Sequence, residues 1–358
     1  MTPQALPCAR DLVGKRILLV GGAGFIGHNL ALELYSRGAE VGIVDSLHVN
    51  NLLSLHDEAA PAERDLYSLM INERLALLKA VGIPVFVDDA RDYHRLSKHF
   101  SMFDPDTVVL LAAVSHASRA NKDPMRTLDH SFRSLENALD NARGNVEHFI
   151  FLSSSMVYGD FATDSVDELA PCNPLGIYGA VKLGGEKLVI AYGQVFDLPY
   201  TIVRPSALYG ERCISRRVGQ IFIENAILGK DLVIQGDGLE KIDFTYIQDF
   251  VEGIALVIRE EKSRGEIFNI TYGKGEALQT VAGIVQSEFP GISVRYEPRN
   301  ALVPERGSLE VSKAKSLLGY EPSFPVSAGF PKYISWYREL FERFDSSALR
   351  GTEPQSNE

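Results

Sequence analysis

The apolar run Ile17-Leu18-Leu19-Val20 leads without a break into Gly21-Gly22-Ala23-Gly24-Phe25-Ile26-Gly27. A helical pattern from His28 to Arg37, stopped by Gly38, and the run Val41-Gly42-Ile43-Val44-Asp45 follow. A short run that is apolar at every position is the pattern of a strand buried on both faces. Glycines at the turn let the backbone bend sharply and approach a ligand, and the next helix aims its unpaired N–H groups at the same place. The second run ends in a carboxylate 18 positions beyond Gly27, where it reaches ribose hydroxyls. Glycines alone would equally describe an ordinary tight turn; strand, turn, helix, strand and acid together describe a dinucleotide site. Asp45 would repel a 2′-phosphate and no arginine follows it closely, which favours NAD over NADP.

Outward from this unit the pattern repeats. Residues 1–15 read as an irregular lead-in and 46–62 as a loop rich in Asn, His and Ser. A helix over 65–81, a strand at Pro84-Val85-Phe86-Val87 and a helix near 93–100 precede a strand at Val108-Val109-Leu110-Leu111-Ala112-Ala113, whose small-residue end lets a flat cofactor approach. Asp123-Pro124 opens a long helix, His148-Phe149-Ile150-Phe151-Leu152 is a strand ending in three serines, 174–192 is a helix and Tyr200-Thr201-Ile202-Val203 a strand. Strands alternating with helices imply a parallel sheet covered on both faces, an α/β fold. After Arg204-Pro205 the units shorten into a smaller α+β portion, with extended pieces at 232–234, 242–247, 267–270 and 293–296 and helices at 218–228, 250–259 and 280–288. Such a portion would cap the carboxyl ends of the strands, where ligands bind in these sheets.

The 358 residues allow one large unit or two subdomains. With 47 acidic against 36 basic side chains, a net charge of −11 and no basic stripe, the chain does not read as a nucleic-acid binder. Cys8, Cys172 and Cys213 have no paired spacing, so neither a disulfide framework nor a metal site is expected. No apolar run approaches the ~18 residues of a membrane span, and no secretory leader is visible, so the expectation is no membrane partner and a cytoplasmic location. The polar segment 346–358 reads as a disordered tail.

Tyr178 and Lys182 stand four apart at the start of a helical pattern, hence on one face. An ammonium below a phenol favours its ionised form, which makes Tyr178 a candidate general base. Ser154, at the end of a strand, is placed to hydrogen-bond the same substrate oxygen. An isolated pair of this spacing is as well explained by surface contact, and three serines by a solvent-facing turn; their order behind a dinucleotide fingerprint favours chemistry.

Taken together, these motifs resemble the extended short-chain dehydrogenase/reductase family, in its nucleotide-sugar epimerase and dehydratase branch, over about residues 16–335. The likeness runs through Gly21 to Gly27, Asp45, Asp89-Ala90, Leu111-Ala112-Ala113, Ser153 to Gly159, Tyr178 to Lys182, Arg204-Pro205 with Leu208-Tyr209-Gly210, Asp243 to Tyr246, and Ser312-Lys313-Ala314 with Leu318 to Pro322. It implies a Rossmann-type doubly wound parallel sheet at 16–204 that binds NAD, and a smaller C-terminal α+β, mainly substrate-binding portion at 205–345, interleaved with the first. It assigns the cofactor to Gly21, Gly24, Phe25, Ile26, Gly27, Asp45, Asp89, Ala90, Leu111, Ala112, Ala113, Tyr178, Lys182 and Pro205. Catalysis falls to Ser154, Tyr178 and Lys182, and a nucleotide-sugar substrate to Ser154, Ser155, Met156, Tyr178, Arg216, Arg217 and Arg306.

The resemblance also implies a homodimer through the helix bearing Tyr178 and the helix starting near Pro124. The 4,6-dehydratases of the family carry an acid pair after the catalytic serine and the decarboxylases a glutamate; here those positions are Ser155 and Met156, which points to epimerisation at C4 of a UDP-hexose or UDP-uronic acid. The helix around Asn72-Glu73-Arg74 is similar to an insertion in UDP-glucuronate 4-epimerases. Where the family has an asparagine and an arginine on the substrate's diphosphate, this chain has Ala207 and Ile242; Arg212, Arg216, Arg217 and Arg306 are the candidate anion ligands instead. Cys213 reads as a buried structural cysteine, or as a second acid/base for C3 or C5 epimerisation. Net oxidation, reduction or dehydration of a sugar nucleotide and a non-catalytic NAD-binding role stay open at this point.

Overall fold

The structure, a computed structural model, describes residues 10–55, 63–113, 117–299 and 304–344. The expected tail at 346–358, Cys8 and most of the lead-in lie outside the described residues. The central sheet has seven strands, all parallel: β1 (Arg16–Val20), β2 (Glu40–Val44), β3 (Val85–Phe86), β4 (Thr107–Leu110), β5 (His148–Leu152), β6 (Tyr200–Arg204) and β7 (Glu266–Asn269). Their spatial order is β7-β6-β5-β4-β1-β2-β3, so the sheet reverses direction between β1 and β4 and opens a crevice there.

Successive residues of β1 feed two different cores. Ile17 and Leu19 join Leu30, Leu34 and Ile43 on one face. Leu18 and Val20 join Phe100, Leu135 and Phe149 on the other. Two-sided burial is the physical reason these strands read as unbroken apolar runs.

Helix boundaries follow local chemistry. Asp92 caps Tyr93–Phe103 by accepting the Arg95 N–H, and Asp104 ends that helix in the left-handed conformation. Asp123 caps the helix that begins at Pro124, and a π-turn at Asp129–Arg133 carries it on into Ser134–Ala142.

The smaller portion is stitched together by two-residue and four-residue strand pairs. Lys241–Ile242 pairs with Glu276–Ala277, Thr245–Tyr246 with Leu208–Tyr209, and Val294–Glu297 with Leu232–Gln235. The expected single extended piece at 242–247 is interrupted because the carboxylate of Asp243 is buried between its halves. It accepts the Thr271 hydroxyl and the N–H groups of Gly273 and Leu309, at 3.0, 3.2 and 3.1 Å.

The two portions are interleaved. Ile267 to Asn269, grouped by composition with the smaller portion, lie instead in β7 on the edge of the main sheet, and Ser308–Leu309 pairs back onto Ser165–Val166. A long helix, Val326–Arg343, was not legible as an element; it buries Phe330, Tyr333, Tyr337 and Leu340 in the first core.

Candidate active site

At the reversal of the sheet, Gly21 sits at φ 83° and a Cβ there would lie 2.5 Å from the backbone N of Ala112. At Gly27 a Cβ would lie 2.3 Å from the Gly22 carbonyl oxygen. The first glycine lets β1 and β4 close up at the mouth of the crevice; the second lets the helix Phe25–Ser36 pack on its own turn. That helix starts at Gly24 with no side-chain cap and no acidic residue in its first turn, so its N–H groups and positive dipole end face the crevice uncompensated. An anionic pyrophosphate suits this cradle.

Asp45 is half-buried behind the turn. Its Oδ2 accepts the Ala23 N–H at 2.9 Å and its Oδ1 the Leu47 N–H at 2.7 Å, while burial pushes its carboxyl upward. The Asn51 amide donates to the Ala23 carbonyl at 3.0 Å, so both backbone groups of Ala23 are held by side chains of one loop. At the far end burial works against the charge of Asp89, and hydrogen bonds from Arg91 overcome it, leaving the carboxyl below its ordinary value. Arg91 is itself held by Asp129 at 2.6 Å.

One pocket collects Gly21, Gly24, Phe25, Ile26, Gly27, Asp45, Asp89, Ala90, Leu111, Ala112 and Ala113, every expected cofactor residue except Tyr178, Lys182 and Pro205. Sequence reading missed Asn50, Arg74, His130, Ser134 and Ser215 on its wall. For Asn50 and Asn51 the signal was present, an asparagine pair in a loop just past the acid. For His130 there was none, because the π-turn that turns it inward has no sequence signature.

Ser154 follows β5 and caps the turn Ser155–Val157, its Oγ accepting the Met156 N–H at 3.2 Å. Tyr178 lies in the first turn of Gly176–Phe196. Burial pushes its phenol upward, and the charge of Arg217 and a hydrogen bond with Ser154 oppose that rise. Lys182, expected to supply that opposing charge, is oriented elsewhere in this structure. The Lys182 ammonium is turned to the Leu152 carbonyl at 2.6 Å and lies over the Phe151 ring. Burial holds it down to about 8, against the pull of Glu186.

Glu186 is engaged from two more sides, by the Ser153 hydroxyl and by a paired contact from Arg204 at 2.9 and 2.7 Å. The Ser155 N–H donates to the Pro205 carbonyl, which ties the serine turn to the end of β6.

The candidate anion ligands separate. Arg216, expected to face the substrate, pairs with Glu63 and reaches the Tyr67 hydroxyl. Arg212 donates to His28 at 3.1 Å and stands over Trp336. Arg217, the residue before the helix Val218–Ile227, lines the pocket and makes no ion pair among the described residues. Arg306 is largely buried, which lowers its proton affinity; the charge of Glu240 opposes that, and the neighbouring charge of Arg217 lowers it further. It stands 3.7 Å from Glu240, beyond hydrogen-bonding distance, and its Nε has no partner among the described residues. Ala207 holds φ 22°, a region where asparagine is better tolerated than alanine. Cys213 is buried against Ser215 and does not reach the pocket wall.

The pattern of the NAD dependent epimerase/dehydratase family matches residues 17–271. A UDP-N-acetyl-alpha-D-glucosaminuronate decarboxylase of Bacillus cytotoxicus is 29% identical over 91% of this chain and 98% of its own length. A dTDP-glucose 4,6-dehydratase of Xanthomonas campestris pv. campestris is 27% identical over 89% of this chain and 92% of its own. Among solved structures, a UDP-glucuronic acid 4-epimerase from Bacillus cereus, in complex with UDP-glucuronic acid and NAD, superposes with a TM-score of 0.81 at 25% identity, covering 90% of this chain and 99% of that one. Its Rossmann-type architecture is the one described above. The three names denote three different reactions of sugar nucleotides.

Proposed function

Because the chain belongs to the NAD-dependent epimerase/dehydratase family and its cofactor is NAD, we propose that it inverts C4 of a nucleotide-linked hexose or uronic acid. On this reading the N-terminus of the helix behind Gly24 holds the pyrophosphate, Asp45 the adenosine ribose, Asp89 and Ala90 the adenine, and Leu111 to Ala113, Pro205, Tyr178 and Lys182 the nicotinamide end. When bound, NAD supplies a hydride acceptor at the sugar's C4 and the same hydride for return to the opposite face of the resulting ketone.

The residues' share is proton traffic. Tyr178 takes the C4 hydroxyl proton, helped by the nearby charge of Arg217, and gives it back after the sugar has turned. Ser154 bonds the same oxygen and relays the proton. Lys182, one turn along and now bonded to the Leu152 carbonyl, would hold the nicotinamide ribose. Arg217 and Arg306, two cations with unfilled bonding capacity, bind the diphosphate in place of the contacts absent at Ala207 and Ile242.

The observation that carries the choice of reaction is the bareness of the serine turn: Ser155 and Met156 offer no carboxyl group for elimination or decarboxylation. Glu186, the carboxylate hydrogen-bonded to Ser153, is engaged by Arg204. The same reading expects a homodimer, and it is supported by exposed Met125 and Leu128 on one helical stretch and Leu188 and Phe196 on the helix of Tyr178. The test is a panel of UDP-, dTDP-, GDP- and CDP-sugars, screened by thermal stabilisation of the NAD-loaded protein and followed by NMR of the products. A C4 epimer with NAD unchanged supports the proposal; a 4-keto-6-deoxy product or stoichiometric NADH refutes it.

A further inference from the structure

Arg74, on the helix Arg64–Ala80, is completely buried, yet it has no carboxylate within ion-pair distance among the described residues. Its fork is spent on two carbonyls. Nε donates to Arg212 at 3.0 Å, Nη2 donates to the same oxygen, and Nη1 donates to Asn50 at 3.3 Å. Both accepting residues are unusual: Asn50 holds φ 50° and Arg212 φ 63°, left-handed conformations that non-glycine residues disfavour.

Each belongs to a segment that walls the cofactor pocket. Ser46, Val49 and Asn50 contribute from one side, Ile214, Ser215 and Arg217 from the other, with Arg74 lining the pocket between them. The first segment continues into Asn51, which grips Ala23 in the glycine turn; the second leads into Arg217 beside Tyr178. A single guanidinium therefore joins the cofactor-side loop to the substrate-side loop. The direction of its electrostatics agrees: burial lowers its proton affinity and the neighbouring Arg212 adds to that, while Cys213 and Asp45 work the other way. A buried cation without a partner carboxylate is costly unless an anion offsets it, and a dinucleotide in this pocket brings that anion.

We propose that Arg74 is a positioning residue that retains NAD through turnover, by clasping the two left-handed segments over the pocket and by holding an unneutralised positive charge at its wall. The inference deepens the epimerase reading, because an enzyme that returns a hydride to its own substrate must keep one cofactor between the two transfers, whereas a net dehydrogenase must let it go.

The test compares wild type with Arg74→Met, Arg74→Gln and Arg74→Lys. Proteins are loaded with NAD and freed of excess, and release is followed with an NAD-consuming coupling enzyme; NAD affinity is read by calorimetry and thermal midpoints are taken with and without NAD. Removing charge-assisted bonds of this kind is expected to speed NAD release by about tenfold or more in Arg74→Met. Arg74→Lys, which keeps the charge and loses the fork, falls between. The midpoint gain on adding NAD shrinks, and saturating NAD restores turnover. A merely structural role would lower the midpoints with and without NAD equally and leave release unchanged.

If Arg74→Met does not fold, Arg74→Lys and Arg74→Gln decide. NAD release within twofold of wild type in the folded variants overturns the proposal. Loss of NAD retention is read without any sugar, so a failure to epimerise the sugar panel would sink the reaction assignment and leave the clasp standing.

Discussion

At the glycine turn Ala23 donates its N–H to Asp45 and accepts at its carbonyl from Asn51, whereas beside Arg217 the buried Nε of Arg306 has no hydrogen-bond partner among the described residues and Glu240 stands 3.7 Å away. The first region has its protein hydrogen bonds complete and awaits only the anion its helix end calls for. The second holds cations close together at a cost that Glu240 relieves in part and a bound anion would relieve further. A site completed beforehand suits a cofactor that stays; a site left in electrostatic debt suits a substrate that comes and goes. Between them lie Tyr178 and Ser154, and Lys182, whose ammonium is parked on a backbone carbonyl.

That contrast is open to attack. The largest effect is expected from Tyr178→Phe, which removes the acid/base and should lower kcat by roughly 10²–10⁴ with NAD content unchanged; loss of NAD along with activity would tie the phenol to the completed region instead. Lys182→Met comes next. The buried ammonium falls from an ordinary 10.5 to about 8, so between those values the unfolded chain binds more protons than the folded one, and stability rises with pH across that window. At pH 7 the full penalty is present. The substitution should therefore abolish turnover yet stabilise the NAD-free protein by up to about 3 kcal/mol at neutral pH, less the lost bond to Leu152. That gain should vanish above about pH 10; urea titrations at pH 7 and pH 10 check it, and equal effects at both would contradict the burial account.

Arg306→Met should divide the two regions more finely. Removing one partner of a desolvated charge pair typically costs ~2 kcal/mol or more, so the Kd for the active sugar nucleotide should rise roughly thirtyfold while that for NAD holds. Thermal stability without ligand should stay level or rise, since a poorly paired buried cation is gone. Arg216→Ala is expected to do least. Its half-exposed bond to Glu63 is the kind worth ~1 kcal/mol or less, and its loss should change sugar-nucleotide affinity by less than about threefold. A larger change would return Arg216 to the substrate site.

Sequence legibility follows the same divide. Gly21 and Gly27 are demanded by backbone clearances of 2.5 and 2.3 Å, and such demands write themselves into residue type. Neighbouring arginines show the opposite. Arg216 and Arg217 are chemically identical and adjacent, yet Arg216 is drawn to Glu63 while Arg217 faces the pocket at the start of a helix. Where a long side chain goes is decided by tertiary partners, here a glutamate far back in the chain. Lys182 teaches the same, since helix periodicity placed it below Tyr178 but the Leu152 carbonyl claimed its ammonium. The sequence groups β7 with the smaller portion because its pairing with β6 is set by a strand some sixty residues earlier, which no local pattern reports.

The central claim is that hydride leaves and returns to one carbon while NAD stays in place. It is tested most directly with a sugar nucleotide deuterated at C4, turned over in water by NAD-loaded protein and examined by NMR. The account predicts an inverted C4 that still carries the deuterium, with none in free NADH; deuterium lost to a free cofactor pool, or found at C6, would contradict it.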